Sequence, residues 1–206
     1  MNLISKALLP LLLTLSFNIS ADDHIPQAPY LFPLETMQCN FNDNKDMDDL
    51  MKLQGEWKKF IEGNDEISYA AWIITPLYRS ASDFTNDIAW LGASPSWTAF
   101  GKGYQAWFEE AGRLAEKFND VYTCDTRQMF ATQSIRQSEN TSDNGVMLVS
   151  NCSLINDATL MDVAAADQKW NAYLDSQNSD GSILRWYPGP GTPTDLDYSF
   201  KYVQTA

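Results

Sequence analysis

The amino-acid sequence predicts an α+β fold in which one strand–helix–strand unit occurs twice. The first copy spans residues 37–85, and the second begins at residue 150. The copies match at a constant offset through the helix, and one extra residue in the second copy follows it. The pairs before this residue include Cys39 with Cys152 and Trp57 with Trp170, and those after it include Trp72 with Trp186 and Asp83 with Asp197. Separate anchors joined by a single one-residue gap indicate an internal duplication.

The first copy and the residues that follow it alternate between strand and helix patterns. Strand patterns cover residues 37–41, 69–75, 84–91 and 121–135, and apolar residues at helical spacing cover about 46–63 and 95–118. Asp46 is placed to cap the first helix, Gly63 to end it, and Pro95 to open the second. The order β-α-β-β-α-β is the ferredoxin-like pattern, a four-stranded antiparallel sheet with both helices on one face.

The second copy contains fewer elements. Its patterns predict a strand over 146–154, a helix over 159–176, and strands over 182–187 and 198–203. Relative to the first copy, a second helix and a fourth strand are missing. We therefore expect the second repeat to be truncated after its third strand, and the chain to be a fragment of a longer protein.

The predicted organisation has five parts. Residues 1–21 carry Lys6, a short apolar run and a small-residue exit, which are features of a cleaved secretory signal, although a buried N-terminal helix is the alternative. The remaining parts are an extended lead-in at 22–36, the first repeat at 37–136, a linker at 137–145 and the incomplete second repeat at 146–206. We expect a soluble product that is periplasmic or secreted.

The charge balance restricts the partners. The formal net charge is −13 at pH 7, and removal of Lys6 with the signal makes it more negative. An acidic surface repels phosphate backbones and anionic headgroups, so the sequence argues against nucleic acid and, after signal cleavage, against membrane binding. An uncovered strand edge in the second repeat would favour self-association.

Three sequence stretches, together with the Trp-containing repeats, resemble a known group of proteins. They are Phe-Asn-Asp-Val-Tyr-Thr-Cys-Asp at 118–125, Asp83-Phe84 and Trp90-Leu91-Gly92. They are similar to uncharacterised secreted proteins found mainly in marine bacteria, which hold two ferredoxin-like halves of the dimeric α/β-barrel type. The resemblance implies this fold for nearly all of the mature chain, and it implies no particular activity.

Three cysteines in an exported chain leave one thiol unpaired. The first and fourth strands of a β-α-β-β-α-β sheet are neighbours, so Cys39 and Cys124 are expected to form a disulfide while Cys152 stays free. A Cys39–Cys152 bridge between the two halves is the alternative.

The sequence lacks the common catalytic and metal-binding motifs. The sequence contains no GxSxG, P-loop, GxGxxG, HExxH or CxxC motif, and its one histidine, His24, is isolated in the lead-in. We therefore predict no metal and no cofactor. Asp83 and Asp197 recur beside an aromatic residue and are candidates for acid–base work, although capping of a turn is the simpler interpretation.

Strand residues supply the other site candidates. In a barrel of this type, Trp72 and Trp186 would point into an apolar space between two facing sheets and bind a small apolar or aromatic ligand, although core filling is the simpler interpretation. Arg127 and Arg185 are strand cations that would meet an anionic group of the ligand, and placement on the surface is the equal alternative. Binding without catalysis is the favoured function; the alternatives are a cofactor-independent mono-oxygenase or isomerase, and a structural or interaction module. The sequence leaves enzyme activity undecided.

Overall fold

The computed structural model describes residues 29–78, 84–138, 144–190 and 201–206. Its strands are β1 (Leu31–Phe41), β2 (Ala70–Ile74), β3 (Ile88–Ala93), β4 (Tyr122–Arg136), β5 (Val149–Cys152), β6 (Ile183–Pro188) and β7 (Tyr202–Thr205). Its helices are α1 (Met47–Lys52), α2 (Gln54–Glu62), α3 (Trp97–Glu110), α4 (Gly112–Val121) and α5 (Leu160–Ser176). The predicted signal at 1–21 lies outside the described residues. Within them, no helix has the length and apolar character that a membrane crossing requires.

The first repeat has the predicted ferredoxin-like topology. Its strands lie in the order β2-β3-β1-β4, and each neighbouring pair is antiparallel. Apolar side chains from α1, α2 and α4 pack with sheet residues such as Cys39, Ile88 and Trp90 in one core cluster. The helices of this repeat therefore cover one face of the sheet.

Each predicted helix of the first repeat is divided in two. The first breaks at Leu53 between α1 and α2, after starting where the Asp46 side chain accepts a hydrogen bond from the Asp49 backbone. The second starts after the cap at Ser96 and breaks between α3 and α4, where Gly112 adopts a φ of 29°. This φ lies in the left-handed region that glycine enters readily, so Gly112 permits the change of direction.

β1 begins six residues before its predicted start and includes part of the expected lead-in at 22–36. The reason is the length of β4, whose residues pair with β1 as far as Leu31 opposite Gln133. Pro33 is tolerated in this strand because it lies beyond the last β1–β3 pair, Leu34 with Ala93, so a missing N–H leaves no ladder bond to β3 unmade.

The two repeats share one continuous sheet. The second repeat adds β6, β7 and β5 to give the order β2-β3-β1-β4-β6-β7-β5. The sequence predicts two sheets that face each other. This expectation is wrong in one respect, because the sheets of the two repeats are joined where Phe130–Arg136 of β4 pair edge to edge with β6. β5, α5, β6 and β7 are the described elements of the second repeat, and Ala206 follows β7.

The sheet face opposite the helices carries a second core cluster, the opposite-face cluster. Its buried members come from five neighbouring strands of both repeats, and they are Leu34, Leu91, Phe130, Trp186 and Val203. Ile74 of the edge strand β2 and Met147 beside the other edge strand also pack against this cluster. The sheet therefore curves toward this face, so that residues at or beside both edge strands reach one cluster, and the fold class is α+β with ferredoxin-like repeats of the α/β-barrel type.

The structure contains the disulfide Cys39–Cys124, and Cys152 is a free thiol. The two bridged residues are register partners of the neighbouring strands β1 and β4. The bridge therefore closes the first repeat on itself, and the alternative Cys39–Cys152 link between the halves is absent.

Candidate functional site

A cavity of about 660 Å³ lies between the sheet and the helices of the first repeat. Its walls come from β1, β3 and β4 on one side and from α2, α3 and α4 on the other. Rings dominate the lining, among them Trp57, Phe60, Trp90, Trp107, Phe108 and Phe118. A cavity of this size with mainly apolar walls is typical of a site for a small organic molecule.

Trp57 of α2 occupies the centre of these rings. Its ring centroid lies 5.3 Å from that of Trp90 and 5.5 Å from that of Trp107, both in edge-to-face arrangements. Phe118 contacts all three tryptophans at similar distances. Edge-to-face aromatic contacts add to the stability gained by burial, so these walls are held in place before any ligand arrives.

One carboxylate lies among the rings. Glu35 of β1 is only 4% exposed, because β1 is an interior strand and Glu35 lies on the face that the helices cover. Tyr69 Oη donates a hydrogen bond of 2.6 Å to Glu35 Oε1, and Tyr104 Oη donates one to Glu35 Oε2. Each carboxylate oxygen thus has one phenol donor.

The hydrogen-bond chain continues from Tyr69 into the core. Trp90 Nε1 donates to Tyr69 Oη over 2.8 Å, which fixes the direction in which the phenol proton points, toward Glu35. Gly92 of β3 is the register partner of Glu35 on β1. A Cβ atom at position 92 would lie 1.7 Å from Tyr69 Oη. The arrangement therefore needs glycine at position 92.

The phenols of this site are poor acids. Burial, followed by the charge of Glu35 and the hydrogen bond to it, raises the pKa of Tyr69 and Tyr104 well above the usual value. Burial also raises the pKa of Tyr122, another lining residue, to about 12. All three side chains therefore remain protonated at neutral pH, and Tyr69 and Tyr104 remain donors to Glu35.

The cavity opens to water on the side of Arg127. Arg127 and four other lining residues are exposed, and they are Phe108, Gly112, Asn119 and Thr123. Among the described residues, Glu35 has no ion-pair partner, since the Arg127 guanidinium forms none with it. The site is therefore a buried acid behind aromatic walls, with a solvated cation at the mouth.

Of the ligand-pocket residues predicted from sequence, Arg127 lines this cavity. Trp72 lies on the edge strand β2 and is 46% exposed, whereas Trp186 on the interior strand β6 is 4% exposed in the opposite-face cluster. Asp83 and Asp197 lie outside the described residues. Of the predicted residues that the structure describes, Trp72 and Trp186 thus lie apart from Arg127 and outside this cavity.

Arg185 has a different role from the predicted contact with an anionic ligand. It is buried in the second repeat, where its guanidinium donates to both carboxylate oxygens of Asp167 on α5, over 2.8 and 2.9 Å. It also donates to Gln204 Oε1, and it lies over the Tyr202 ring at 4.6 Å. These contacts join α5 to the sheet, so the structure favours a packing role for Arg185.

The buried acid of the first repeat has no counterpart in the second. By the offset of the duplication, Glu35 and Gly92 correspond to Leu148 and Ala206, which flank the β5–β7 pairs and exchange backbone hydrogen bonds with each other. The second repeat therefore forms its corresponding strand pair without a carboxylate. Glu35 is a special feature of the first repeat, not a requirement of the repeat fold.

Sequence reasoning missed Glu35, Tyr69 and Tyr104. Glu35 fell within the expected lead-in. It is spaced by two residues from Met37 and by four from Cys39, so strand alternation would have placed its carboxylate on the same sheet face as these apolar side chains. Among the described residues, no group of three or more His, Cys, Asp or Glu side chains is placed to hold a metal.

The chain matches no known protein family by sequence profile and no curated protein by sequence. Solved structures with a related chain path include two variants of chlorite dismutase from Candidatus Nitrospira defluvii, both 8% identical to this chain. The TM-scores are 0.45 and 0.47, and in each case 86% of this chain and 76% of the other are covered. The assignment to the ferredoxin-like α/β-barrel class rests on the strand order described above. The resemblance to secreted marine bacterial proteins stays a prediction.

Proposed function

We propose that this protein is a non-catalytic binding protein that takes a small, largely apolar or ring-bearing ligand into the cavity of the first repeat. The observation that carries the proposal is the contrast between the repeats at equivalent positions. The first repeat has a buried carboxylate held by two phenols beside a cavity, and the second has Leu148 and Ala206 in the matching places. Because the second repeat forms the same strand pair without this polar cluster, the fold does not require it. Its presence in the first repeat therefore indicates a function.

Two glycines of α3 provide the test of this cavity. Gly103 lines it, and an added Cβ there would meet only Ile67 at 3.9 Å, so a larger side chain would extend into the space. Gly101 lies on the same helix with open surroundings. Gly103→Leu should abolish binding of a neutral ring compound such as phenethyl alcohol, measured by ligand-observed NMR, and Gly101→Leu should preserve it. Binding that survives Gly103→Leu in a folded protein would contradict this location.

A cofactor-independent enzyme is the second candidate, and the buried acid is the observation that favours it. Glu35 with Tyr69 and Tyr104 could move a proton at a bound substrate if a ligand group replaced one phenol. Oxygen consumption or isomerisation of a phenolic substrate by the native protein, lost in Glu35→Gln, would support catalysis. A ligand that is recovered unchanged supports binding.

Export to the periplasm or the medium and self-association through the sheet edges stay predictions beside this proposal. β2 and β5 are the edge strands of the seven-stranded sheet. Open edges favour strand pairing between chains. Sedimentation velocity over a range of concentrations would measure the association.

A further inference from the structure

We propose that the ligand of the first-repeat cavity is an organic ammonium ion, with its nitrogen beside Glu35 and its apolar body among the rings. This inference rests on the proposed function, since it names the chemical class of ligand for the same site.

The hydrogen bonds to Glu35 come from neutral groups, and within the described residues its charge has no ion-pair partner. Tyr69 and Tyr104 each supply one neutral donor, and no cationic side chain of the described chain forms an ion pair with the carboxylate. A buried charge is unfavourable unless an opposite charge or a full set of hydrogen bonds accompanies it. Two phenols occupy two of the roughly four acceptor positions of a carboxylate, so Glu35 can accept further donors from a bound cation.

The surroundings of Glu35 also suit a cation. The faces of tryptophan, tyrosine and phenylalanine rings attract ammonium groups, and attraction grows when water is excluded. Tyr104 forms part of a row of rings with Phe100, which does not line the cavity, and with Phe108, which does, at centroid distances of 4.8 and 5.8 Å. This row leads from Glu35 toward the exposed Phe108 at the mouth. A ligand with a cationic end and an apolar body would therefore meet matching groups along its whole length.

The same electrostatics disfavours an anion at the inner end of the cavity. The anionic ligand group expected from sequence would meet the Glu35 carboxylate there, and like charges in a dry site repel strongly. Arg127 lies at the mouth, on the strand position opposite Met37, and is exposed to water. Its charge reaches Tyr104 and Tyr122 and opposes the rise in the pKa of both phenols, but water at the mouth weakens it, so we expect it to orient the ligand less than Glu35 does.

Three ring compounds of similar size and different charge test the inference on the native protein. They are phenethylamine, phenethyl alcohol and 3-phenylpropionate, and their affinities are measured by isothermal titration calorimetry at pH 7. We expect the amine to bind about tenfold more tightly than the alcohol, because a hydrogen bond to a charged group contributes more than a neutral one, and the carboxylate to bind weakest. Equal or tighter binding of the alcohol or the carboxylate would overturn the ammonium assignment while the binding proposal stands. Failure of all three to bind would overturn both.

Charge removal at Glu35 locates the ammonium group. Glu35→Gln should lower the affinity for phenethylamine about tenfold and change that for phenethyl alcohol by less than about twofold. Glu109→Gln is the matched control, since Glu109 is an exposed carboxylate of α3 that accepts a hydrogen bond from Gln105 and does not line the cavity. Equal losses in the two variants would mean that net charge, not Glu35, attracts the amine, and would overturn the assignment. If Glu35→Gln fails to fold, the order of the three probes on the native protein decides.

Discussion

The two repeats have matching sequences but different interiors. Trp57 lies at the centre of an aromatic cluster in the first repeat, whereas its match Trp170 is 51% exposed and stacks on Tyr173 of the same helix. The first repeat has α2, α3 and α4 around this position, and the second has α5 among its described elements. A matched residue therefore keeps its place on its own helix, while the neighbouring elements decide how deeply it is buried.

The strand tryptophans give the same lesson on the other side of the sheet. Trp72 and Trp186 lie on the second strand of their repeats and on the same sheet face. β2 is an edge strand, whereas β6 lies between β4 and β7, so Trp186 is covered and Trp72 is half exposed. Their pairing with the third strand also differs, since Trp72 faces Leu91 and Trp186 faces Val203, which the duplication matches to Ala89.

The largest expected effect concerns the disulfide that only the first repeat has. Replacing Cys39 and Cys124 together by alanine opens a link with a sequence separation of 85, which should lower the free energy of unfolding by about 4 kcal/mol. Cys152→Ala is the control and should change it little, because Cys152 is a free thiol. Urea unfolding followed by circular dichroism measures both. Similar losses in the two proteins would show that the bridge does not distinguish the repeats.

The second prediction compares the strand tryptophans. Trp186→Ala should cost about 4 kcal/mol, because it removes a large buried side chain from the opposite-face cluster. Trp72→Ala should cost about 1 kcal/mol, since much of this indole already contacts water. The same urea titrations test the pair. A larger loss at Trp72 would mean that the edge strand is covered in solution, for example by self-association.

The third prediction compares the helix tryptophans. Trp57→Ala should cost about 3 kcal/mol, because Trp57 contacts Trp90, Trp107 and Phe118. Trp170→Ala should cost less than about 1 kcal/mol. Thermal unfolding by calorimetry measures the difference. Equal costs would contradict the claim that the helices beside α2 bury Trp57 more deeply than Trp170.

The fourth prediction concerns the glycine that makes room for Tyr69. Gly92→Ala should cost about 2 kcal/mol, because its Cβ would overlap Tyr69 Oη and lie 2.9 Å from Glu35 Oε1. The second repeat already has Ala206 at the corresponding place. Gly101→Ala, in open space on α3, should instead stabilise the protein by about 0.5 to 1 kcal/mol. Urea unfolding of the two alanine variants tests the contrast, and a neutral Gly92→Ala would show that Tyr69 can move without cost.

The last prediction concerns the part of the stability that Tyr122 contributes and that is lost at alkaline pH. Its pKa of about 12, raised by burial, exceeds the usual value near 10, so the folded protein holds this proton more tightly than the unfolded chain. This contribution is fully present below about pH 10 and is lost as the pH rises toward 12, at about 1.4 kcal/mol for each pH unit. Stability of native protein and Tyr122→Phe, measured from pH 8 to 11.5, should show a shallower alkaline decline in the variant. Parallel declines would contradict burial of this phenol.

Three features could be predicted from sequence: the duplication, the strand order of the first repeat and the pairing of Cys39 with Cys124. The duplication shows as matched spacing of anchor residues, and the order of strands and helices within one repeat determines which strands are neighbours. The β4–β6 junction could not, since pairing between repeats depends on which strand edges remain free after each repeat forms. Glu35 was missed because Pro33 made its strand resemble an irregular lead-in. The exposure of Trp72 was missed because sequence gives the face of a strand and not its position within the sheet.

The use of β4 by both repeats has a consequence for the order of folding during synthesis. β4 pairs with β1 on one side and with β6 on the other, and it leaves the ribosome after the rest of the first repeat and before the second. The first repeat can complete its sheet from residues already synthesised, whereas β6 requires an edge that the first repeat supplies. Domains generally form as units from the N-terminus during translation. We therefore expect the finished first repeat to serve as the template for the sheet of the second, so that the dependence runs in one direction along the chain.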